Sequence, residues 1–378
     1  MANIFIHGLN SKTGGGKSIL NNYLSILKDT SSEHNYFVLT PKKVEYKKYS
    51  NNFINIIDIN DIYKKNILFI ITNSFLLPSI LEKLQINVIF NFSDIPIPAK
   101  NIKQVFLFDW PYAVYPESEA WNMMDIKSFI MRKIKLYFFK KYLKYVTTMI
   151  AQTDTIKSRL ERLYHIKDIE VVPNAISLEN MDGGKYKDFK LPSGIKLLYL
   201  TYYYPHKNLE IFIPLAQEIK KRNLDFKIII TISESQHQNV KSFLDEIKEL
   251  ELDKIILNLG PIDMKNVASL YKQSDGLLMP TLLETYGLPY IEAMHHEKIV
   301  LTSNLDFAQD VCKDAGTYFN PLDSTEILDT LIHVFNNKNL IDKKINRGTK
   351  LLDNLNSWNS VLSKYNKIME INNDCKDK

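Results

Sequence analysis

Glu284 and Glu292 stand eight positions apart, with Gly287-Leu288-Pro289 between them. An ionised carboxylate only accepts hydrogen bonds, so the natural partners of both are the hydroxyls of a sugar or a ribose. Just before them, Gly276–Met279 is a short apolar run that reads as a buried strand; from Pro289 the apolar spacing is helical. Pro289 suits the first turn of a helix, where its missing N–H leaves no bond unmade. Gly287 lets the backbone come close to a ligand. A helix start presents unpaired N–H groups at the positive end of its dipole, which favours phosphate. Residues 279–294 therefore offer groups for both halves of a nucleotide sugar. The plainer reading, a strand, loop and helix of any α/β domain with surface glutamates, stands beside it.

Three further places could do chemistry. Lys207 lies in the connection 201–209, after an apolar strand and before a helix, where a cation can pair with a diphosphate. His206 beside it is a lone histidine, more often structural. Gly14-Gly15-Gly16 lies in a run 10–18 that reads as a loop between a strand at 2–7 and a helix at 19–27. Strand, glycine loop and helix form a phosphate-facing arrangement. Gly16-Lys17-Ser18 imitates the end of a P-loop, but that spacing needs glycine at position 11, which is Ser11. The glycines are then either a tight turn or an approach to a diphosphate or sugar, with Gly15 and Gly16 the contact positions. Asp109 follows a strand at 105–108, where an open α/β sheet places its ligand loops; it is functional or caps a turn.

Residues 126–146 contain seven Lys and Arg, no acid, and Phe129, Tyr137, Phe138, Phe139 and Tyr142 among them. On a helix, Lys133, Lys140 and Lys144 share a stripe with Tyr137. Cations interleaved with aromatics suit a helix lying on an anionic membrane surface, or a solvated basic face over a core. No helix-turn-helix, zinc-finger, RRM or KH pattern supports nucleic acid.

These residues need rigid elements to carry them. A chain of 378 residues, 45% hydrophobic and 24% charged, suits an ordinary globular protein of two domains. Residues 1–170 carry a net charge of +8 and the remainder −3, so the first half is expected to meet something anionic. No apolar run is long enough to span a membrane, and residues 1–6 read as a strand rather than a signal peptide. Two cysteines, Cys312 and Cys375, fit a reducing cytoplasm and exclude a disulfide framework. Apolar runs at 36–39, 53–57, 67–71, 88–92, 105–108, 147–152 and 169–172 read as strands alternating with helices, notably 74–84 and 154–163. Further strands are expected at 196–200, 226–232, 255–259, 276–279, 299–302 and 317–319, and closing helices at 324–336, 340–352 and 357–371. Strands separated by helices of this length argue for parallel sheets.

Taken together, the motifs resemble glycosyltransferase family 4. Glu284-Thr285-Tyr286-Gly287-Leu288-Pro289 followed by Glu292-Ala293-Met294 is similar to the family's pair of glutamates separated by seven residues. Pro205-His206-Lys207-Asn208, Val172-Pro173-Asn174-Ala175 and Gly14-Gly15-Gly16 resemble its other motifs. The resemblance implies an α/β GT-B fold, two Rossmann-like parallel-sheet domains facing each other across a cleft. The expected division is an acceptor-side domain 1–175, a linker 176–195, a donor-binding domain 196–356, and a C-terminal helix 357–378 packing back on the first domain. It also implies roles. Glu292 holds the ribose hydroxyls, Glu284 contacts the donor sugar, and Lys207 neutralises the diphosphate with backbone N–H groups around Thr285, Tyr286, Gly287 and Leu288. The implied reaction retains anomeric configuration and needs no cofactor beyond the nucleotide-diphosphate sugar. No Asp-x-Asp motif is present, so metal independence is expected. The expected acceptor is a glycan or lipid-linked precursor of a bacterial surface polysaccharide, reached at the inner face of the cell membrane through residues 126–146, and no nucleic-acid partner is expected. Two departures stand out: Tyr202 where the family has Arg, and Asp109 where it often has His. A GT-B nucleotide-sugar epimerase and a non-catalytic nucleotide-sugar-binding partner of a membrane assembly are the alternatives.

Overall fold

The computed structural model describes residues 1–64, 66–176 and 186–370. Gly183-Gly184 of the expected linker, the end of the last helix and Cys375 lie outside them. The chain divides into two compact units. The first comprises Met1–Pro116, Met124–Ala175 and the chain from Asn356 onward; the second comprises Glu117–Met123 and Ile176–Leu355.

The first unit is built on a seven-stranded parallel sheet of β1 (Asn3–His7), β2 (Asn35–Leu39), β3 (Ile54–Ile57), β4 (Val88–Asn91), β5 (Lys103–Leu107), β6 (Thr148–Ala151) and β7 (Ile169–Val171), in the order 3-2-1-4-5-6-7. Both faces are covered by helices, which is why its inner strands are nearly continuous apolar runs. Chain order reverses between β1 and β4, so the connections leaving these two strands diverge and open a crevice at their carboxyl ends. The helix Trp358–Met369 closes this unit. Its Tyr365 is buried, with its ring 5.0 Å from Phe90 and 6.2 Å from Tyr23.

Residues 67–71 are not a strand. They belong to a helix, Asn66–Ile71, that runs through a wide π turn, Thr72–Leu76, into Leu77–Lys83. Five apolar residues cannot distinguish a strand from a buried helical segment. Here Phe69, Ile70, Leu77 and Leu81 pack onto the same core as Phe5 and Ile89. The π turn carries a buried Asn73 whose Oδ1 accepts from His7 Nε2 at 3.0 Å and whose Nδ2 donates to the Pro96 carbonyl at 2.7 Å. The expected glycine loop is also shorter than its sequence suggests. The helix begins at Gly14 and runs to Asp29, so Gly14, Gly15 and Gly16 form its first turn. Gly14 holds a left-handed φ of +58° that favours glycine; at Gly16 a side chain would meet only ordinary contacts.

The second unit is a six-stranded parallel sheet of β8 (Ile195–Tyr199), β9 (Phe226–Ile230), β10 (Ile256–Asn258), β11 (Gly276–Met279), β12 (Ile299–Ser303) and β13 (Gly316–Phe319), in the order 10-9-8-11-12-13. This is the doubly wound nucleotide-binding order, with its reversal between β8 and β11. Leu197, Leu198, Leu277 and Leu278 in its centre are fully buried.

His7 makes stability depend on pH. Burial pushes its imidazole down to about 4, against the raising effects of the Asn73 hydrogen bond and the Asp94 charge. Its native pKa lies below the unfolded value of about 6.5, so the unfolded chain binds the proton first. The stability it confers is intact above 6.5 and is lost as pH falls toward 4, by about 3 kcal/mol at most. Urea midpoints between pH 7.5 and 4.5 are expected to fall less steeply for His7→Gln than for the wild type; parallel curves would remove His7 as the cause.

Candidate functional site

In the second unit, the loops leaving β8 and β11 bring the two sequence motifs into contact. Lys207 Nζ donates to Glu284 Oε1, and both side chains are only about 15% exposed. The pair sits largely out of water, so removing either partner strands a charge in a poorly solvated place. Backbone bonds hold the loops in this arrangement. Tyr199 Oη, fully buried, donates to the Lys207 carbonyl at 3.1 Å. The Leu282 N–H and Thr281 Oγ1 both donate to the His206 carbonyl, at 2.8 and 3.2 Å.

Asn208, to which the sequence motifs assigned no role, is the hub of these loops. It adopts a left-handed φ of 54°, which asparagine tolerates better than most residues. Its buried amide donates to the carbonyls of Pro280 at 3.1 Å and Pro321 at 2.7 Å. One side chain thus ties together the loops after β8, β11 and β13. Its place directly after Lys207 is the signal that could have found it.

The helix Leu288–His295 starts where the sequence predicted, with Pro289 in its first turn. Gly287, immediately before it, has a φ of +80°. Glu292 is buried inside this helix and accepts a hydrogen bond from Tyr271 Oη at 3.3 Å. Burial, then the charge and hydrogen bond of Glu292, push the Tyr271 phenol well above its ordinary range, so it stays protonated and donates. The Tyr271 ring stacks on His296 at 5.1 Å. Burial and the neighbouring His295, Lys272 and Lys298 push that imidazole down to about 4, so it is neutral at neutral pH. Tyr286 and Thr285 are also buried, and the Tyr286 ring packs with Ile176 and Ile291.

The remaining sequence candidates lie elsewhere. Tyr202, in place of the expected Arg, starts an aromatic ladder: its ring is 5.3 Å from Tyr204, which stacks on His206 at 5.5 Å. Asp109, Gly15 and Gly16 belong to the first unit. Asp109 accepts from Gln152 Nε2 at 3.1 Å, and a side chain added at Gly16 would stand 3.6 Å from its Oδ2. Its carboxylate therefore lies at the amino end of the helix Gly14–Asp29, a favourable place for negative charge. Among the described residues no group of three or more His, Cys, Asp and Glu is arranged to hold a metal ion.

The two glycines with positive φ at helix starts separate backbone strain from steric clash. A Cβ at Gly287 would lie 2.6 Å from the Tyr290 ring, which is fully buried and pinned by its hydroxyl to Thr302 Oγ1 at 2.8 Å. A Cβ at Gly14 would meet nothing within 4 Å. Gly287→Ala is expected to cost about 3 kcal/mol of stability or more and Gly14→Ala about 1 kcal/mol. Equal losses in urea unfolding would contradict this geometry.

Residues 187–351 match the family model described as Glycosyl transferases group 1. The O-antigen chain mannosyltransferase RfbU of Salmonella typhimurium is 24% identical over 199 residues, 52% of this chain and 53% of that one. The chain thus aligns with about half the length of that relative. A glycosyltransferase from Rickettsia africae superposes with a TM-score of 0.69 at 18% identity, covering 98% of both chains. Anabaena HepE, solved with UDP and glucose, superposes with a TM-score of 0.70 at 11% identity, covering 98% of this chain and 100% of that one. The matched segment begins before β8 and ends after the helix that follows β13, and so contains Lys207, Asn208, Glu284 and Glu292. Residues 187–351 are thus similar to Glycosyl transferases group 1, and the two doubly wound parallel sheets are those of the GT-B fold found in the solved glycosyltransferases.

Proposed function

We propose that this protein is a retaining, metal-independent glycosyltransferase that moves a hexose from a nucleotide-diphosphate donor to a glycan or lipid-linked acceptor in surface polysaccharide synthesis. The observation that carries this reading is the contact of Lys207 with Glu284 at the strand-order reversal of the second sheet, beside the start of the helix that holds Glu292. The relative named as an O-antigen chain mannosyltransferase supports the acceptor class.

The chemistry follows from charge. As the bond from the sugar anomeric carbon to the diphosphate breaks, negative charge grows on the leaving oxygen. Lys207 and the N–H groups at the helix start stabilise that charge, more strongly in a partly dry site than in water. Glu284 orients Lys207 and accepts hydrogen bonds from sugar hydroxyls; Glu292 accepts from the ribose. The acceptor oxygen bonds to the anomeric carbon, and its proton passes to the departing phosphate oxygen, so no protein base is needed. Tyr202 favours a second reading: an aromatic ladder stands where the family has Arg, which leaves one cation fewer for the diphosphate, as in a protein that binds the donor without turning it over.

A panel of nucleotide sugars separates these readings. Transfer or slow donor hydrolysis is expected, unaffected by EDTA. Glu284→Gln should lower kcat at least ~10-fold, about 1.4 kcal/mol of transition-state stabilisation, with little change in KM. Binding without turnover would establish the second reading, and EDTA inactivation reversed by manganese would overturn metal independence.

The helix Ile126–Tyr142 supports attachment to the inner face of the cell membrane. Its Lys127, Lys133, Lys140 and Lys141, and Lys144 just beyond it, are exposed. Between them Ile126 is 79%, Ile130 50% and Tyr137 59% exposed, an unusual display of apolar side chains. Among the described residues no helix is long and apolar enough to cross a membrane. Each cation near an anionic surface contributes about 1 kcal/mol, which fades within a Debye length. The protein is expected to sediment with anionic vesicles at low salt and to be released at high salt. Changing Lys133, Lys140 and Lys144 together to Glu should abolish this; equal sedimentation of the variant would leave the helix a solvated basic face.

A further inference from the structure

Glu292 accepts ribose hydroxyls in the transferase reading, yet its own torsions do not fix its carboxylate. The last torsion of a glutamate side chain is broad, so the carboxylate plane turns easily about it. A ribose presents two neighbouring hydroxyls, and both reach one carboxylate only when its plane lies along them. A group that binds through such geometry has to be held by its surroundings.

Tyr271 is placed to hold it. It lies in the helix Val267–Lys272, just before β11, and is fully buried. Its Oη donates to Glu292 Oε2 at 3.3 Å, and the Pro289 carbonyl, at 3.4 Å, is a second acceptor in reach. A phenol has one proton to give. The carboxylate is the better acceptor, because hydrogen bonds to an ionised group are roughly twice as strong as neutral ones. The Pro289 carbonyl, inside a helix, has the N–H four residues on as its ordinary donor.

The phenol is itself held on two sides. Its ring stacks on the His296 imidazole at 5.1 Å, with 21° between the planes. His296 directly follows the helix that carries Glu292, and its N–H donates to the Glu292 carbonyl at 3.0 Å. Ring partner and carboxylate thus stand one turn apart on one segment. On the other side, Gln273 donates to the carbonyls of Lys187 at 2.7 Å and Ser269 at 2.8 Å, and accepts from the Phe189 N–H at 3.0 Å. Ser274 donates to the Leu270 carbonyl at 2.8 Å. The chain on either side of Tyr271 is therefore pinned. Phenylalanine would fill the same space and stack on the same imidazole. A buried hydroxyl is costly unless bonded, so its bonds, not its volume, distinguish tyrosine here.

We propose that Tyr271 is a positioning residue of the donor site: its hydroxyl fixes the plane of the Glu292 carboxylate, so that Glu292 receives both hydroxyls of a ribose and rejects a sugar that lacks them. The proposal rests on the transferase reading, in which Glu292 meets the donor nucleotide. A site built to bond hydroxyls discriminates against analogues without them, because its polar groups are then left unpaired.

The test is calorimetric titration of the full-length wild type, Tyr271→Phe and Glu292→Gln with UDP, GDP and ADP, and with the 2′,3′-dideoxy form of each. The wild type should bind one of the ribonucleotides at least ~10-fold more tightly than its dideoxy form. Tyr271→Phe should bind that ribonucleotide at least ~5-fold more weakly, and the dideoxy form within about 2-fold of the wild type. Unchanged dideoxy binding also shows that the variant is folded. In turnover of the matching nucleotide sugar, KM should rise while kcat stays within about 2-fold. If Tyr271→Phe binds both forms as the wild type does, or loses affinity for both equally, the hydroxyl serves stability alone and the proposal is overturned. The reading beneath it has a separate readout. If Glu292→Gln loses the preference for ribose and Tyr271→Phe keeps it, Glu292 meets the ribose unaided and only this proposal falls. If the wild type prefers none of the three ribonucleotides to its dideoxy form, the assignment of Glu292 to the ribose falls, and Tyr271 loses its role with it.

Discussion

Asn208 is the constraint on which the second unit's chemistry rests. Reversal of strand order at β8 and β11 is what opens a crevice for a ligand, and it also sends the two flanking loops apart. Something must hold those loops in register if charges on each are to meet. A single amide, in a left-handed turn and donating to Pro280 and Pro321, does this from inside the fold. Lys207 is the residue immediately before it, so its ammonium is delivered to Glu284 by the same turn. The buried Tyr199 hydroxyl and Thr281 fix the backbone on either side.

The same topological device operates in the first unit with different chemistry. At its reversal Asn10 and Asp94 link the two loops, and the side chains around them are cationic and aromatic rather than paired carboxylates and a lysine. Both sheets therefore concentrate functional groups at the carboxyl ends of their strands, where parallel packing leaves loops rather than side-chain layers. Helix starts add to this in each unit: Gly14 in the first and Gly287 in the second introduce helices whose dipoles point at those loops.

Much of this was legible in the residues. The strands were readable because parallel strands buried on both faces are nearly continuous runs of Ile, Leu, Val and Phe, bounded by polar turns. Glu284, Glu292 and Gly287 could be singled out as groups able to meet hydroxyls and a close-lying ligand, with an ordinary strand, loop and helix as the plainer reading beside it. Residues 67–71 were not legible, because the helix they belong to buries Phe69 and Ile70 on consecutive positions, and a π turn then displaces the usual spacing. Nor was the glycine run: glycine disfavours helix in general, yet at a first turn it costs little, and tertiary context overrode the propensity.

By itself the sequence determined most of the strands and helices, residues 67–71 and the glycine run aside, that they alternate, and which residue types could meet a sugar and a phosphate. These are consequences of local apolar patterning and of side-chain chemistry, both carried by neighbours in the chain. Tertiary structure alone decided which of those groups meet. Lys207 and Glu284 are 77 positions apart and touch because two strands of one sheet are adjacent. Lys135 and Asp94 are 41 positions apart and touch for a similar reason, which turned one lysine of a basic helix inward while Lys133 and Lys140 stayed in solvent. No periodicity could distinguish those lysines, because the difference lies in what packs against the helix and not in the helix itself.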